Sequence, residues 1–220
     1  MDYQPRSRLP QEKKRRDRLI RLATNHPTWA LGFADEVWWS RLAQPDQHGW
    51  TDDDTLVQLQ ELSRPKDDAD PKALACYGLL LRRRPQMADQ MLLRFVDGRP
   101  VSALTIDFLA WSISRLAVQG ISGLLLIWDN ASWHKSQQVR DWIRLHNRSV
   151  KQSGQGVRIV PCLLPSKSPW LNPIEPKWVH GKRAVSESER LLSADELEAR
   201  VYAYYGCTPD AHLVMPEKVA

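Results

Sequence analysis

The chain has 220 residues, 42% of them hydrophobic and 26% charged, with a net charge of +5 and a pI near 9.2. That is enough apolar content for one full core, and the mildly basic balance suits a nucleic-acid partner without requiring one. Cys76, Cys162 and Cys207 are far apart and form no CxxC pair, which argues against a disulfide framework or zinc knuckle and for a reducing cytoplasm; no apolar stretch approaches a membrane span.

Residues 1–18 read as a polar arm whose cluster Lys13–Arg18 (KKRRDR) is either a solvated helix start or a contact to DNA phosphates. Thr28–Trp39, rich in aromatic and β-compatible residues, predicts a first strand. Gln44 to Pro71 is acidic and interrupted by prolines, and reads as irregular or edge structure. Ala73–Leu81 and Met91–Asp97 predict two further strands, the latter closed by the turn pair Asp97-Gly98. Ser102 is placed to cap a helix reaching about Gln119, and Gly123 opens an apolar strand at Leu124–Trp128. A helix over Gln137–Asn147, a polar flexible stretch over Arg148–Gly156 and a strand over Val157–Leu163 follow. Helices starting at Asn172 and running from Ser193 to Tyr205 complete the pass. Strands first, then helices alternating with single strands, imply a mixed α/β sheet.

The chemistry candidates lie where apolar runs end. Asp129 follows the buried-looking LLLIW run, so its carboxylate arrives at a sheet end. Asp-Asn is also an ordinary turn pair. Asn130 can orient a neighbouring carboxylate or water, and His134, five positions on, is a surface or capping histidine or a ligand-side neighbour. Glu175 ends the rigid approach LPSKSPWLNPI, but Asn172-Pro173-Ile174-Glu175 equally fits a capping box, which would occupy the carboxylate. Asp35 sits late in the first strand beside Glu36. Strand alternation aims the two oppositely, so only one of them can join a shared site. No GxxxxGK[ST], GxGxxG or GxSxG segment is present, which leaves NTPase, dinucleotide and serine-hydrolase chemistries without support. Carboxylates at sheet ends are instead what hard divalent cations take.

The blocks Asp129-Asn130-Ala-Ser-Trp-His134 and LPxxSPxLNPIExxW, together with the FADE strand, resemble the catalytic domain of mariner-type bacterial insertion-sequence transposases over about residues 28–205. These are DDE enzymes related to retroviral integrases. The resemblance implies a ribonuclease-H-like α/β fold, a mixed central sheet with helices on both faces. Asp35, Asp129 and Glu175 would be the catalytic acids holding two Mg²⁺ ions (Mn²⁺ as substitute), with Asn130, His134 and Asn172 supporting them. It implies DNA as partner, at transposon ends and at a target with TA preference, a homodimer in the active complex, and a cytoplasmic, nucleoid-associated protein in a bacterium. Expected domains are a basic arm at 1–27, the catalytic domain at 28–205 and a tail at 206–220. Two departures stand out. The interval from Asp129 to Glu175 is longer than the family usually shows, with the excess in Arg148–Gly156. Little chain precedes Asp35, where relatives carry helix-turn-helix domains, so the reading includes a separate helix-turn-helix polypeptide from an adjacent frame. A catalytically inactive DNA-binding remnant and a non-transposing nuclease of the same fold are the alternatives. Lys135, Lys167, Lys177, Lys182 and Arg183 are expected to ring the acids and hold phosphates.

Overall fold

The computed structural model describes residues 9–42, 48–50, 56–58, 64–82, 88–165, 168–187 and 190–215. Five strands make one mixed sheet. β1 (Trp29–Ser40) pairs antiparallel with β4 (Ala73–Arg82), which pairs antiparallel with β5 (Gln90–Val96). On its other side β1 runs parallel to β6 (Gly123–Trp128), and β6 parallel to β7 (Arg158–Leu163), giving the order β5-β4-β1-β6-β7. Two short strands, β2 (His48–Trp50) and β3 (Leu56–Gln58), form a separate ribbon. The antiparallel-then-parallel order is the one expected from the succession of elements.

The pleat of β1 sorts the core into two layers. Leu31, Phe33, Val37 and Trp39, with Leu125 and Ile127 of β6, pack against α1 (Leu9–Asn25), α4 (Glu175–Val185) and α5 (Ala194–Tyr205). Ala30 and Ala34, with Leu124, Leu126 and Trp128, pack against α2 (Ser102–Val118) and α3 (Gln137–Ser153). Burial on both faces explains why β6 reads as an unbroken apolar run, as parallel central strands do. Among the described residues, no helix is long and apolar enough to cross a membrane.

Several ends differ from their sequence reading. The basic cluster lies on α1, with Lys13, Lys14 and Arg18 exposed and Ala23 buried against the sheet. Ser102 is the first residue of α2, not its cap: Val101 holds that position, and the Thr105 hydroxyl donates to the Val101 carbonyl. The stretch expected to be flexible after Asn147 is helical through Ser153 and stops at Gly154, whose φ of 69° suits a residue without Cβ. Asn147 holds this extension onto β7, donating to the Ile159 carbonyl at 2.7 Å and accepting from its amide at 2.8 Å. Ser193 and Glu196 form a reciprocal capping box at α5. At the sheet's outer edge Pro161 stands mid-strand in β7, opposite Leu126.

Candidate active site

Phe33 and Ile127 are the last pair of the β1–β6 ladder. Asp35 and Asp129 each stand two residues beyond it, so alternation brings both back to the face of Phe33 and Ile127, side by side where the strands part. Asp35 faces Gly78 across the β1–β4 ladder. A Cβ on Gly78 would lie 2.3 Å from Cη2 and 2.5 Å from Cζ2 of Trp178. The missing side chain is therefore the slot that seats the Trp178 ring. From there Trp178 Nε1 donates to Asp35 Oδ2 at 2.9 Å, and the whole of α4 is registered against the first acid.

Glu175 opens α4. The capping box expected at Asn172 does not form: the helix starts at Glu175, and Ile174, at the cap position, supplies no side-chain bond. Asn172 is 1% exposed and directs its amide to the carbonyl of Ala34, 3.2 Å away and just past the end of the β1–β6 ladder. That buried carbonyl requires a donor, so tertiary structure takes the side chain that local sequence assigned to the helix. Glu175 is left without a capping role.

The second acid is held by a histidine. His134, 3% exposed, stacks on Trp128 with centroids 4.5 Å apart. Its Nδ1 meets Asp129 Oδ1 at 2.8 Å and its Nε2 meets Glu36 Oε1 at 2.8 Å. Burial opposes charge on this ring, but the Glu36 carboxylate and the bonds to Asp129 and Glu36 outweigh it and lift the pKa to about 9. The imidazolium then donates through both nitrogens. Asp129 Oδ1 also accepts from the Ala131 amide at 2.9 Å. Although burial disfavours its charge, these bonds and the charges of His134 and Lys135 hold Asp129 below the usual carboxylate range. The Asn130 amide donates to the Leu164 carbonyl. Glu36 thus enters the site indirectly, from the opposite face of β1; nothing in the sequence links it to a histidine 98 positions away.

The electrostatics are those of carboxylates short of positive charge. Asp35 is pushed up to about 8 by burial, then by the charges of Glu175, Glu36 and Asp129, against the Trp178 hydrogen bond. Glu175 is raised by burial and by Asp129, with Lys182 opposing. Among the described residues, no Lys or Arg ion-pairs with Asp35 or Glu175, and Oδ1 of Asp35, Oδ2 of Asp129 and both oxygens of Glu175 accept no hydrogen bond. Open carboxylate oxygens under mutual repulsion suit a hard divalent cation, and Asp35, Asp129 and Glu175 are the side chains that could hold one. They are not drawn into a finished cage: among the described residues no three His, Cys, Asp or Glu side chains are close enough to ligate one ion.

The basic residues are distributed unevenly. Lys135 is exposed beside His134, and its charge acts on Asp129. Lys182, two turns along α4 from Glu175, acts on that acid, whereas the charge of Lys177 acts on Asp89. Arg183 is exposed. Lys167 lies outside the described residues.

Comparison with curated proteins finds no match. Among solved structures, the Mos1 transposase paired-end complex with left transposon end matches 95% of this chain and 57% of that one, with a TM-score of 0.58 at 14% identity. The Mos1 mariner paired end complex with Mn matches 94% and 56%, at 0.58 and 14%. The Mos1 strand transfer complex matches 94% and 56%, at 0.55 and 13%. This chain therefore spans somewhat over half the length of those transposase chains. The likeness at such identity is one of fold, and the fold is the ribonuclease-H-like one. Residues 88–198, a span that takes in Asp129, His134 and Glu175, match the model of the DDE superfamily endonucleases, and the chain belongs to that family.

Proposed function

We propose that this chain is the catalytic domain of a mariner-type, insertion-sequence transposase, cutting DNA at transposon ends and joining the freed ends to a target. The observation that carries the reading is the parting of β1 and β6, which sets Asp35 and Asp129 side by side with Glu175 on the helix that Trp178 docks against them. Bound Mg²⁺ or Mn²⁺ supplies a lowered pKa for the attacking oxygen and charge stabilisation for the leaving one. The three carboxylates hold the cations and offset their charge. His134 keeps one oxygen of Asp129 fixed so that the other stays aimed at the site. Trp178 does the same for Asp35. Lys135 and Lys182 relieve the repulsion that the acids would otherwise present to phosphates. DNA is the partner, and a homodimer holds the two transposon ends.

The test is Asp129→Asn. Mg²⁺-dependent cleavage of a terminal-repeat duplex should fall to background while the mutant still retards the same duplex in a gel. Cleavage at the wild-type rate would overturn the assignment. Nicking by the wild type without joining of ends would point to a non-transposing nuclease.

A further inference from the structure

Trp170 stands on a single 3₁₀ turn, Pro169–Leu171, ahead of α4, and at 74% it is the most open large aromatic side chain among the described residues. Its indole makes no ring contact and no hydrogen bond among them. The turn that carries it is nevertheless firmly held. The Leu171 amide donates to the Ser168 carbonyl at 3.1 Å, Ser168 is buried, and Leu171 packs against the core. Asn172 is tied to the carbonyl of Ala34, the residue before Asp35, and its own carbonyl accepts from the Glu175 amide at 3.1 Å. Two residues span at most about 7 Å, so the Trp170 backbone lies within that reach of a residue bonded beside the first acid. A rigid turn thus holds an indole out in solvent next to the site, forgoing the burial of roughly 150–250 Å² that an aromatic side chain can gain.

The chemistry of the neighbouring acids says what would cover it. DNA offers three kinds of surface: charged phosphates, polar groove edges and the flat apolar faces of its base pairs. An uncharged ring does little for the first, and an indole with one N–H and no acceptor matches the second poorly. The third fits it in shape and polarity, and aromatic side chains serve as platforms on which bases stack. In a continuous duplex each such face is closed by the next pair. A completed break opens one, and acids that make the break make it beside Trp170.

We infer, on the proposed function that supplies both the break and the joining, that Trp170 stacks on the terminal base pair of a freed DNA end and holds that end at the acids. The pair stays paired, and the contact carries no charge. Cations such as Lys182 act on cut and uncut DNA alike, whereas the ring has a partner only once an end exists. It is a positioning residue for the joining step.

The test compares two duplexes of one sequence in EDTA, where no strand is cut. One has blunt ends, and the other is closed at both ends by an aromatic linker that stacks over the terminal pair. Binding is read by anisotropy of a dye on an internal base. The wild type should prefer the open duplex. Trp170→Ala should weaken that complex roughly tenfold, leave the closed one unchanged and keep the wild-type melting temperature. Because no charge is removed, the dependence of affinity on salt should keep its slope. Trp170→Phe should restore most of the preference. An equal loss on both duplexes, no loss on either, or a shallower salt slope would overturn the end contact. A change in sedimentation of Trp170→Ala without DNA would assign the ring to a contact between two copies and overturn it as well. A wild type that binds neither duplex would remove the end contact together with the DNA reading. Failure of cleavage with the end preference intact would remove the catalytic assignment alone.

Discussion

Two histidines in this molecule do the same thing in opposite surroundings. His134 bridges Asp129 and Glu36 at 2.8 Å on each side, and His212 bridges Asp97 and Glu198 at 2.6 and 2.7 Å. Each ring also packs on an aromatic neighbour, Trp128 for the first and Phe95 for the second. By geometry they are equivalent. Their environments are not: the His134 side chain is 1% exposed and Glu36 9%, whereas His212 is 28% exposed and Asp97 57%. Water screens the second bridge at both ends, whereas in the first it reaches the half-exposed Asp129 but hardly the His134–Glu36 pair, so equal distances carry unequal consequences. His212 ties the segment around Leu213 to the end of β5, a fastening role. His134 fixes an oxygen of a candidate catalytic acid.

The sharpest way to break the equivalence is to remove each ring. His134→Ala strands the Glu36 carboxylate in a nearly dry site, and losing one partner of a buried pair costs about 3–5 kcal/mol. Urea unfolding should show that loss, and a change under about 1 kcal/mol would mean that water already reaches Glu36. The milder Glu36→Gln keeps a polar partner for Nε2 and should retain the fold. It should weaken Mn²⁺ binding by roughly tenfold or less, toward the low end of outer-shell effects on metal sites, as read by calorimetry.

An intermediate effect is expected at Gly78. Alanine there would press into the Trp178 ring, and overpacking of this kind costs about 1–3 kcal/mol. The diagnostic is dual: stability falls and Asp35 loses its indole donor. A Gly78→Ala protein with unchanged Trp178 fluorescence and unchanged stability would refute the slot.

The smallest effect belongs to His212. Burial opposes its charge, but hydrogen bonds to Asp97 and Glu198 and their charges raise its pKa above the ordinary histidine value. The sign follows from linkage. A group whose folded pKa exceeds its unfolded one stabilises fully below the unfolded value, about 6.5, and loses that contribution as pH climbs through the raised one. His212→Gln should therefore be less stable than wild type by at most about 1 kcal/mol at pH 6, given the screening. The gap should close in alkaline buffer and shrink in high salt. A gap that widens with pH would contradict the bridge.

The comparison also shows what a sequence can and cannot disclose. Asp129 was readable because the LLLIW run before it has to be a buried strand, and a polar residue at its end has to emerge. The mixed sheet is readable from the succession of strands and helices, and the helices on both its faces from the family resemblance. Asn172 was misread because local pattern and tertiary demand compete for one amide, and the Ala34 carbonyl from a distant strand wins. The end of α3, Arg148–Ser153, escapes the sequence pattern because every residue but Val150 is polar, and the anchoring Asn147 acts through the distant strand β7. Glu36 is the acid that strand alternation aims away from the face of Asp35. It does point away from Asp35, and reaches the site only through a histidine whose position depends on the turn after β6.

Pro161 has a consequence for how copies of this chain could associate. A strand at the margin of a sheet offers its outward amides and carbonyls to any other strand that approaches, and β7 is such a margin. A proline at its midpoint has no N–H to offer, so the ladder a visitor would build there is interrupted at the centre. Two copies that met on this flank would accordingly do so through helices or loops, and their sheets would not join there.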